Sequence, residues 1–393
     1  MPGSWGQPQT DRDLPAAGGN NGGWPGVSAV MADAPPPFPD VLSQLAAAVP
    51  AMQARAPDLD REESFPEEDI ALLRSLGLLT APLPRHFDGL GAGTEPEGCQ
   101  LLFGILRAIG RGNMAVGRLF EAHVNAVKLI VDYGDAGQIQ EMAGHVRAGR
   151  MYGVWVTDPP GGSLVLRAGA LRGEKGPCSG AGHVPCALVT VGTGDGTRMA
   201  AVCLDGKEQV RPMRGLLHGM RASVNGWVRL DGIRLSLADL IGQPGDYLRE
   251  PQLSTGAWRT MAVTLGGLDA LVAAVGAQLR ARGHTGSPHQ QDRYGAMLIA
   301  QETARLWTES AARRAEDSAQ PVPDQVAYVN LARIAVEQAC LDAMRLAQRS
   351  IGFGTFLTTN PLERLLRDLA TYLRQPAPDA VLTEAALHRL GAP

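Results

Sequence analysis

Residues 346–379 read LAQRSIGFGTFLTTNPLERLLRDLATYLRQPAPD, and the rest of the chain is organised around this stretch. An alanine-rich helix runs into a glycine-bearing turn, QRSIGFG, and a second helix begins at Asn360-Pro361. Asn360 suits the capping position, where its side chain accepts a hydrogen bond from a free N–H of the first turn. Pro361 suits the first helical position, where the N–H it lacks would have had no partner. Leu362, Leu365, Leu366, Leu369 and Leu373 recur at threes and fours, which gives this helix one buried face. The glycines between the helices let another group approach the backbone closely.

Upstream, apolar spacing is held for several turns over 256–282, 293–316 and 324–350, which predicts a bundle of antiparallel helices. Before it, from Met151 to about Tyr247, the texture is β-rich: YGVWVTD, ALVTV, MAAVCL and SVNGWVRLDGIRL, separated by turn residues such as Gly194-Asp195-Gly196 and Asp231-Gly232. That pattern reads as an antiparallel barrel or sandwich. Residues 39–150 are helical again, with acidic Glu67, Glu68 and Asp69 after Pro66 at a helix start. Residues 1–38, with GGNNGG and APPPFP, carry too little apolar side chain to offset the entropy of ordering and read as a disordered tail; Met1 and Met31 are both candidate starts. The expected division is therefore a tail (1–38), an N-terminal helical domain (39–150), a β-barrel domain (151–247) and a C-terminal helical bundle (248–393), an α+β multi-domain chain.

At 393 residues the chain exceeds the usual domain of about 100–150 residues and can bury a large core. A net charge of −4 with no basic block argues against nucleic acid as a partner. The five cysteines (99, 178, 186, 203 and 340) show no C-x-x-C spacing and read as reduced thiols of a cytoplasmic protein. The sequence shows no run of about 18 apolar residues for a membrane span and no basic-then-apolar leader. The histidines lack paired spacing with carboxylates, so no metal site is expected. No P-loop, G-x-S-x-G or dinucleotide fingerprint occurs; the GFG at 352–354 follows a helix, not a strand.

The stretch around Gln348, Gly352, Gly354, Pro361, Glu363, Arg364, Arg367 and Asp368 resembles the C-terminal signature of the acyl-CoA dehydrogenase family, with Ile351 in place of one family glycine. The helix, sheet, helix order is also that family's, and the resemblance covers roughly residues 40–379. It implies an N-terminal helical domain, a central antiparallel β-barrel, a C-terminal four-helix bundle and an FAD cofactor between barrel and bundle.

Three segments carry that cofactor in the resemblance. The first is Trp155-Val156-Thr157-Asp158-Pro159-Pro160-Gly161-Gly162-Ser163, similar to the family's V-T-E-P-x-x-G-S; it puts Val156 and Thr157 on the flavin ring and Gly162 and Ser163 by its phosphate or the substrate. Independently of any family, a strand stopping at Pro-Pro-Gly-Gly frees N–H groups for a ligand. The second, 173–181, sets Ser179 where relatives have a flavin-bonding Thr, and Pro177 where they have a Trp. Its Cys-Ser-Gly form is similar to the monooxygenases of this fold, which use free reduced flavin. The third, Arg282, Thr285 and Gly286, falls where relatives meet the flavin diphosphate of another subunit, a task that suits arginine's charge-assisted fork. With Gln348 and Gly352 at the adenosine end, flavin sites are shared between subunits, which implies a homo-oligomer, a dimer or a tetramer.

The base departs from the family pattern. One usual Glu position after the R-D pair falls on Pro376, and the other, before the Arg of a long helix, falls on Trp258. Remaining candidates are Asp379, in reach if RQPAP runs extended, Glu250, and His123 in FEAHVNAV, which could steer a substrate hydroxyl or be a satisfied core histidine. The resemblance implies oxidation of the α–β CH–CH bond of an acyl thioester, with an electron-transfer flavoprotein as partner. The alternatives are monooxygenation with reduced flavin from a separate flavin reductase, and a flavin-binding homologue without a base.

Overall fold

The computed structural model describes residues 39–204, 206 and 208–391; the expected tail and the choice between Met1 and Met31 lie outside the described residues. Among the described residues five α-helices come first: α1 (Pro39–Glu62), α2 (Glu67–Ser75), α3 (Cys99–Gly112), α4 (Met114–Tyr133) and α5 (Ala136–Arg147). Their starts follow from local chemistry. Asn113 caps α4 by accepting from the Ala115 N–H, and Asp135 and Gln138 form a reciprocal capping box at α5.

Among the described residues, nine strands follow in two sheets. The larger holds β1 (Tyr152–Trp155), β2 (Val165–Arg167), β3 (Ala170–Arg172), β5 (Cys186–Thr193), β6 (Gly196–Cys203) and β9 (Leu240–Ile241); the smaller holds β4 (Glu174–Cys178), β7 (Gln209–Pro212) and β8 (Gly226–Arg229). The expectation of an antiparallel barrel is corrected here. The order is β3-β2-β5-β6-β9 with β1 also on β5, both β1 and β2 run parallel to β5, and no closed barrel is formed among the described residues. Period-two alternation reports which face of a strand is buried, not the direction of its neighbour, so the parallel pairs were invisible to it. The core of this region is Leu188, Met199 and Ile241 of the sheet against Ala126, Val127 and Ile130 of α4 and Met142 and Val146 of α5.

Cys186 and Cys203, opposite each other on β5 and β6, are joined by a disulfide, which corrects the expectation of five thiols; Cys99, Cys178 and Cys340 are free and buried. His145 lies beside the bridge, but the two sulfurs of that His/Cys/Cys group are spent on each other.

The chain then forms α6 (Gln252–Thr255), α7 (Ala257–Ala281), α8 (Pro288–Ala315), α9 (Val322–Ile351), α10 (Pro361–Tyr372) and α11 (Pro378–Leu390). Contrary to the sequence reading, 252–281 is long and apolar enough to span a bilayer; it is instead mostly buried, as the bundle's central helix, against α3, α8, α9 and α10. Glycines permit its closest approach: a Cβ on Gly266 would lie 2.2 Å from the Arg107 carbonyl oxygen of α3. Across the same contact Arg107 pairs with Asp269 at 2.7 Å, and Gln301 of α8 donates to the same carboxylate at 2.6 Å.

The R-D pair of α10 ties three parts of the chain together. Buried Arg367 reaches Asp60 of α1 at 2.6 Å, Glu363 at 2.5 Å and the His218 carbonyl at 2.8 Å. Asp368 accepts from the Met220 N–H at 2.7 Å and from Arg364 at 2.9 Å. These residues hold the 217–221 segment and α1 against the bundle, so their work is structural.

Candidate active site

The end of α10 and the start of α7, α4, and the loops of the smaller sheet enclose a cavity of about 620 Å³. That size lies within the range of small-molecule and cofactor sites, about 300–1,000 Å³. Its floor on the α4 side is a polar line, Arg118, Glu121, Asn125, Lys128 and Asp132, recurring at threes and fours on an otherwise apolar helix. Sequence reading passed over this line, although its period is the helix period and its residue types are wrong for a core. Glu121 is 3% exposed. It accepts from Arg118 at 2.5 Å and from Asn125, whose carbonyl oxygen in turn accepts from Arg259 of α7 at 2.5 Å. Arg118, Glu121, Asn125 and Arg259 are thus linked one to the next along the floor.

Opposite stand Val154, Pro177, Ser179, Met220, Ser223 and Asn225. Ser179 donates to the Asn225 amide oxygen at 3.1 Å, and the Asn225 amide donates to Ser223 at 2.8 Å. Trp155, fully buried, donates its indole N–H to the Ser179 carbonyl at 3.0 Å and fixes that loop. The third wall is Tyr372 at the end of α10, Gln375 and Pro376 after it, and Arg333 of α9. Burial pushes the Tyr372 phenol well above its ordinary value, Glu121 adds to the shift, and Arg118 and Thr260 oppose it. The phenol therefore stays an O–H donor across the neutral range.

Of the residues that the sequence assigns to the cofactor, Ser179 lines this cavity; Val156, Thr157, Gly162, Ser163, Arg282, Thr285, Gln348 and Gly352 are not part of its wall. The strand end at Val156 is clamped by Lys175, itself 1% exposed. Lys175 Nζ reaches Asp158 at 2.6 Å, Thr190 at 2.8 Å and the Val156 carbonyl at 3.4 Å. Thr157, Gly162 and Ser163 beyond it are exposed. The third segment and the C-terminal turn do come together within one chain: Arg282 donates to the Ile351 carbonyl at 3.3 Å, next to Gly352, and Gln290 donates to the Ser350 carbonyl at 3.1 Å.

The proposed bases fare differently. Asp379 is exposed in the first turn of α11 and outside the cavity wall, because Pro378 opens a helix where an extended run was expected. Glu250 is held by Ser254, whose hydroxyl donates at 2.5 Å. His123 is fully buried and is a satisfied core histidine: Nε2 donates to the Leu79 carbonyl at 2.8 Å and Nδ1 accepts from the Tyr152 N–H at 3.1 Å. Burial takes its pKa from 6.5 to about 4, against the Leu79 hydrogen bond. Because the folded value is depressed, the unfolded chain binds the proton first. The stability it confers is full above about pH 6.5 and is lost as pH falls towards 4, roughly 3 kcal/mol in all. Urea midpoints between pH 7 and 4.5 should fall for the wild type and fall less for His123→Gln; parallel curves would remove His123 as the source.

Residues 43–150 match the family model described as acyl-CoA dehydrogenase, N-terminal domain. Three solved structures superpose on nearly the whole chain. Glutaryl-coenzyme A dehydrogenase with glutaryl-CoA is 21% identical, with 90% of this chain and 95% of that one covered and a TM-score of 0.79. This protein has the acyl-CoA dehydrogenase fold. The same fold is seen in KijD3 with FMN and a dTDP-amino-keto sugar, at 19% identity, 90% and 93% coverage and a TM-score of 0.78. Dibenzothiophene monooxygenase (TdsC) from Paenibacillus sp. A11-2 has it too, at 17% identity, 90% and 97% coverage and a TM-score of 0.78. No curated protein sequence matches the chain. Structures with this fold hold a CoA thioester in one case and FMN with a dTDP-sugar in another, so the fold leaves the reaction to the residues of the site.

Proposed function

We propose that this protein is a flavin-dependent oxidoreductase that works as a monooxygenase with reduced flavin supplied by a separate reductase. The observation that carries the reading is the cavity wall where an acyl-CoA dehydrogenase needs a free carboxylate. One family position is Pro376, whose carbonyl accepts from Arg333, and the other is buried Trp258. Abstraction of an α proton requires a base with an open lone pair. Glu121, which does face the cavity, is bound by Arg118 and Asn125, and Asp132 is 3.4 Å from Lys128.

The cavity's volume, its apolar Val154, Pro177 and Met220, and its Ser179–Asn225–Ser223 hydrogen-bond chain suit a flavin ring. A flavin bound there, FAD or FMN, supplies two-electron redox chemistry and, when reduced, activation of dioxygen. The chain's own residues orient and exclude water: Ser179 and Asn225 offer polar edges, Tyr372 keeps a proton to donate, and the Glu121 network fixes the floor. Val156, Thr157, Gly162 and Ser163 of one protomer, with Arg282, Thr285, Gln348 and Gly352 of its mate, would hold the remainder of the cofactor in a homo-oligomer. Phe353, Phe356 and Leu357, exposed by 77%, 62% and 44% beside Gly352, support such a contact.

A second reading, oxidation of an acyl thioester with transfer to an electron-transfer flavoprotein, is favoured by one observation: Glu121 is a buried carboxylate on the cavity. An anaerobic titration with acyl-CoAs separates the two. The oxidised flavin should keep its colour, and hydroxylated product should form only with reduced flavin and oxygen. Bleaching by an acyl-CoA that Glu121→Gln slows by about 10²-fold or more would instead establish the thioester reaction with Glu121 as base.

A further inference from the structure

The walls of the cavity hold five cationic side chains and two anionic ones, and four of the cations are spoken for. Arg118 lies 2.5 Å from Glu121, Lys128 3.4 Å from Asp132, Arg259 4.0 Å from Glu316 and Arg374 2.6 Å from Glu337. The fifth, Arg333 on α9, has no ion-pair partner among the described residues. Its Nη2 donates to the Pro376 carbonyl, a neutral acceptor, while its Nε is sealed from solvent with no hydrogen-bond partner. A guanidinium carries five donors and does not deprotonate, so a half-buried one facing a cavity on one neutral carbonyl lacks its counter-ion. Burial presses its pKa downward, with only Glu337 opposing, and Glu337 is already engaged by Arg374.

We propose that Arg333 anchors an oxyanion group of the substrate, a carboxylate or a phosphate monoester, at the position where the family's fold would set its catalytic carboxylate. The planar fork matches both groups, and a charge-assisted pair discriminates against a neutral isostere. The substrate would thus bring the negative charge that Pro376 cannot. Arg333 is then a specificity-determining residue, not a catalytic one. The inference rests on reading the cavity as the reaction chamber.

The test is calorimetric titration of the full chain with benzoate, phenyl phosphate and benzamide, repeated on Arg333→Met and Arg333→Lys, with FMN and FAD binding followed by flavin fluorescence. At least one anion should bind about tenfold or more tightly than benzamide, Arg333→Met should abolish that preference, and Arg333→Lys should retain part of it. Flavin binding, followed in parallel, reports on the flavin site separately from the anion preference. Preference for benzoate assigns a carboxylate and preference for phenyl phosphate a phosphate. Equal binding of anions and amide by the wild type, or an undiminished preference in a folded Arg333→Met, overturns the proposal. A wild type that selects anions but binds no flavin would keep the anchor and sink the oxidoreductase reading.

Discussion

Arg367→Met is expected to destabilise the protein by about 3–5 kcal/mol, the cost of leaving buried charges without their counter-ion. Asp60 and Arg367 are 6% and 9% exposed, and the guanidinium makes two bonds to Asp60, two to Glu363 and one to the His218 carbonyl. Removing it strands two carboxylates and a carbonyl at the junction of α1, α10 and the 217–221 loop. The penalty should appear as a lower urea midpoint in the wild-type slope, and Asp60→Asn added to Arg367→Met should recover part of it, since one stranded charge is gone. A loss under about 1 kcal/mol would mean that the network is hydrated and only decorative.

The second large effect is expected at Gly266. A methyl there would sit 2.2 Å from the Arg107 carbonyl oxygen and 2.5 Å from the Arg111 nitrogen, so α3 and α7 must move apart. Because the obstacle is backbone, the cost should reach the top of the usual overpacking range, about 3 kcal/mol, and exceed the roughly 1 kcal/mol that Ala gains over Gly in a helix. Gly295→Ala on α8 is the control: nothing lies within 4 Å of its Cβ, and that change should be neutral or stabilising. If thermal melts show both substitutions stabilising, the α3–α7 contact is looser than drawn.

These two sites also show what the sequence carried. Arg367 and Asp368 were legible as a motif, and their helix as a cap, a proline and a leucine face. That they serve as a structural knot depends on Asp60 and Met220, distant in sequence and invisible to local pattern. The helices came through because one period describes them. Strand pairing did not, since β1 and β2 meet β5 in parallel across connections whose residues say nothing of direction. Asp379 lies on a helix and not on an extended run because Pro378 is equally at home as the first residue of a helix. At the cavity, Ser179 is the one residue of the expected cofactor set that lies on the wall. Glu121, Asn125 and Arg259 belong to no motif and meet only through the packing of α4 on α7, although the polar line on α4 shows in its spacing of threes and fours.

The hairpin at Gly194-Asp195 has a last consequence. Counting outward from Thr193 opposite Gly196, the ladder brings Cys186 face to face with Cys203, so an even strand register does what cysteine spacing gave no hint of. The link spans 17 positions, and chain-entropy estimates give a ring of that length about 3 kcal/mol. The ladder pairs the same two strands without it. Cleaving the bridge with a dithiol should therefore shift the melting temperature while leaving the topology, and the chamber on the far side of α4, in place.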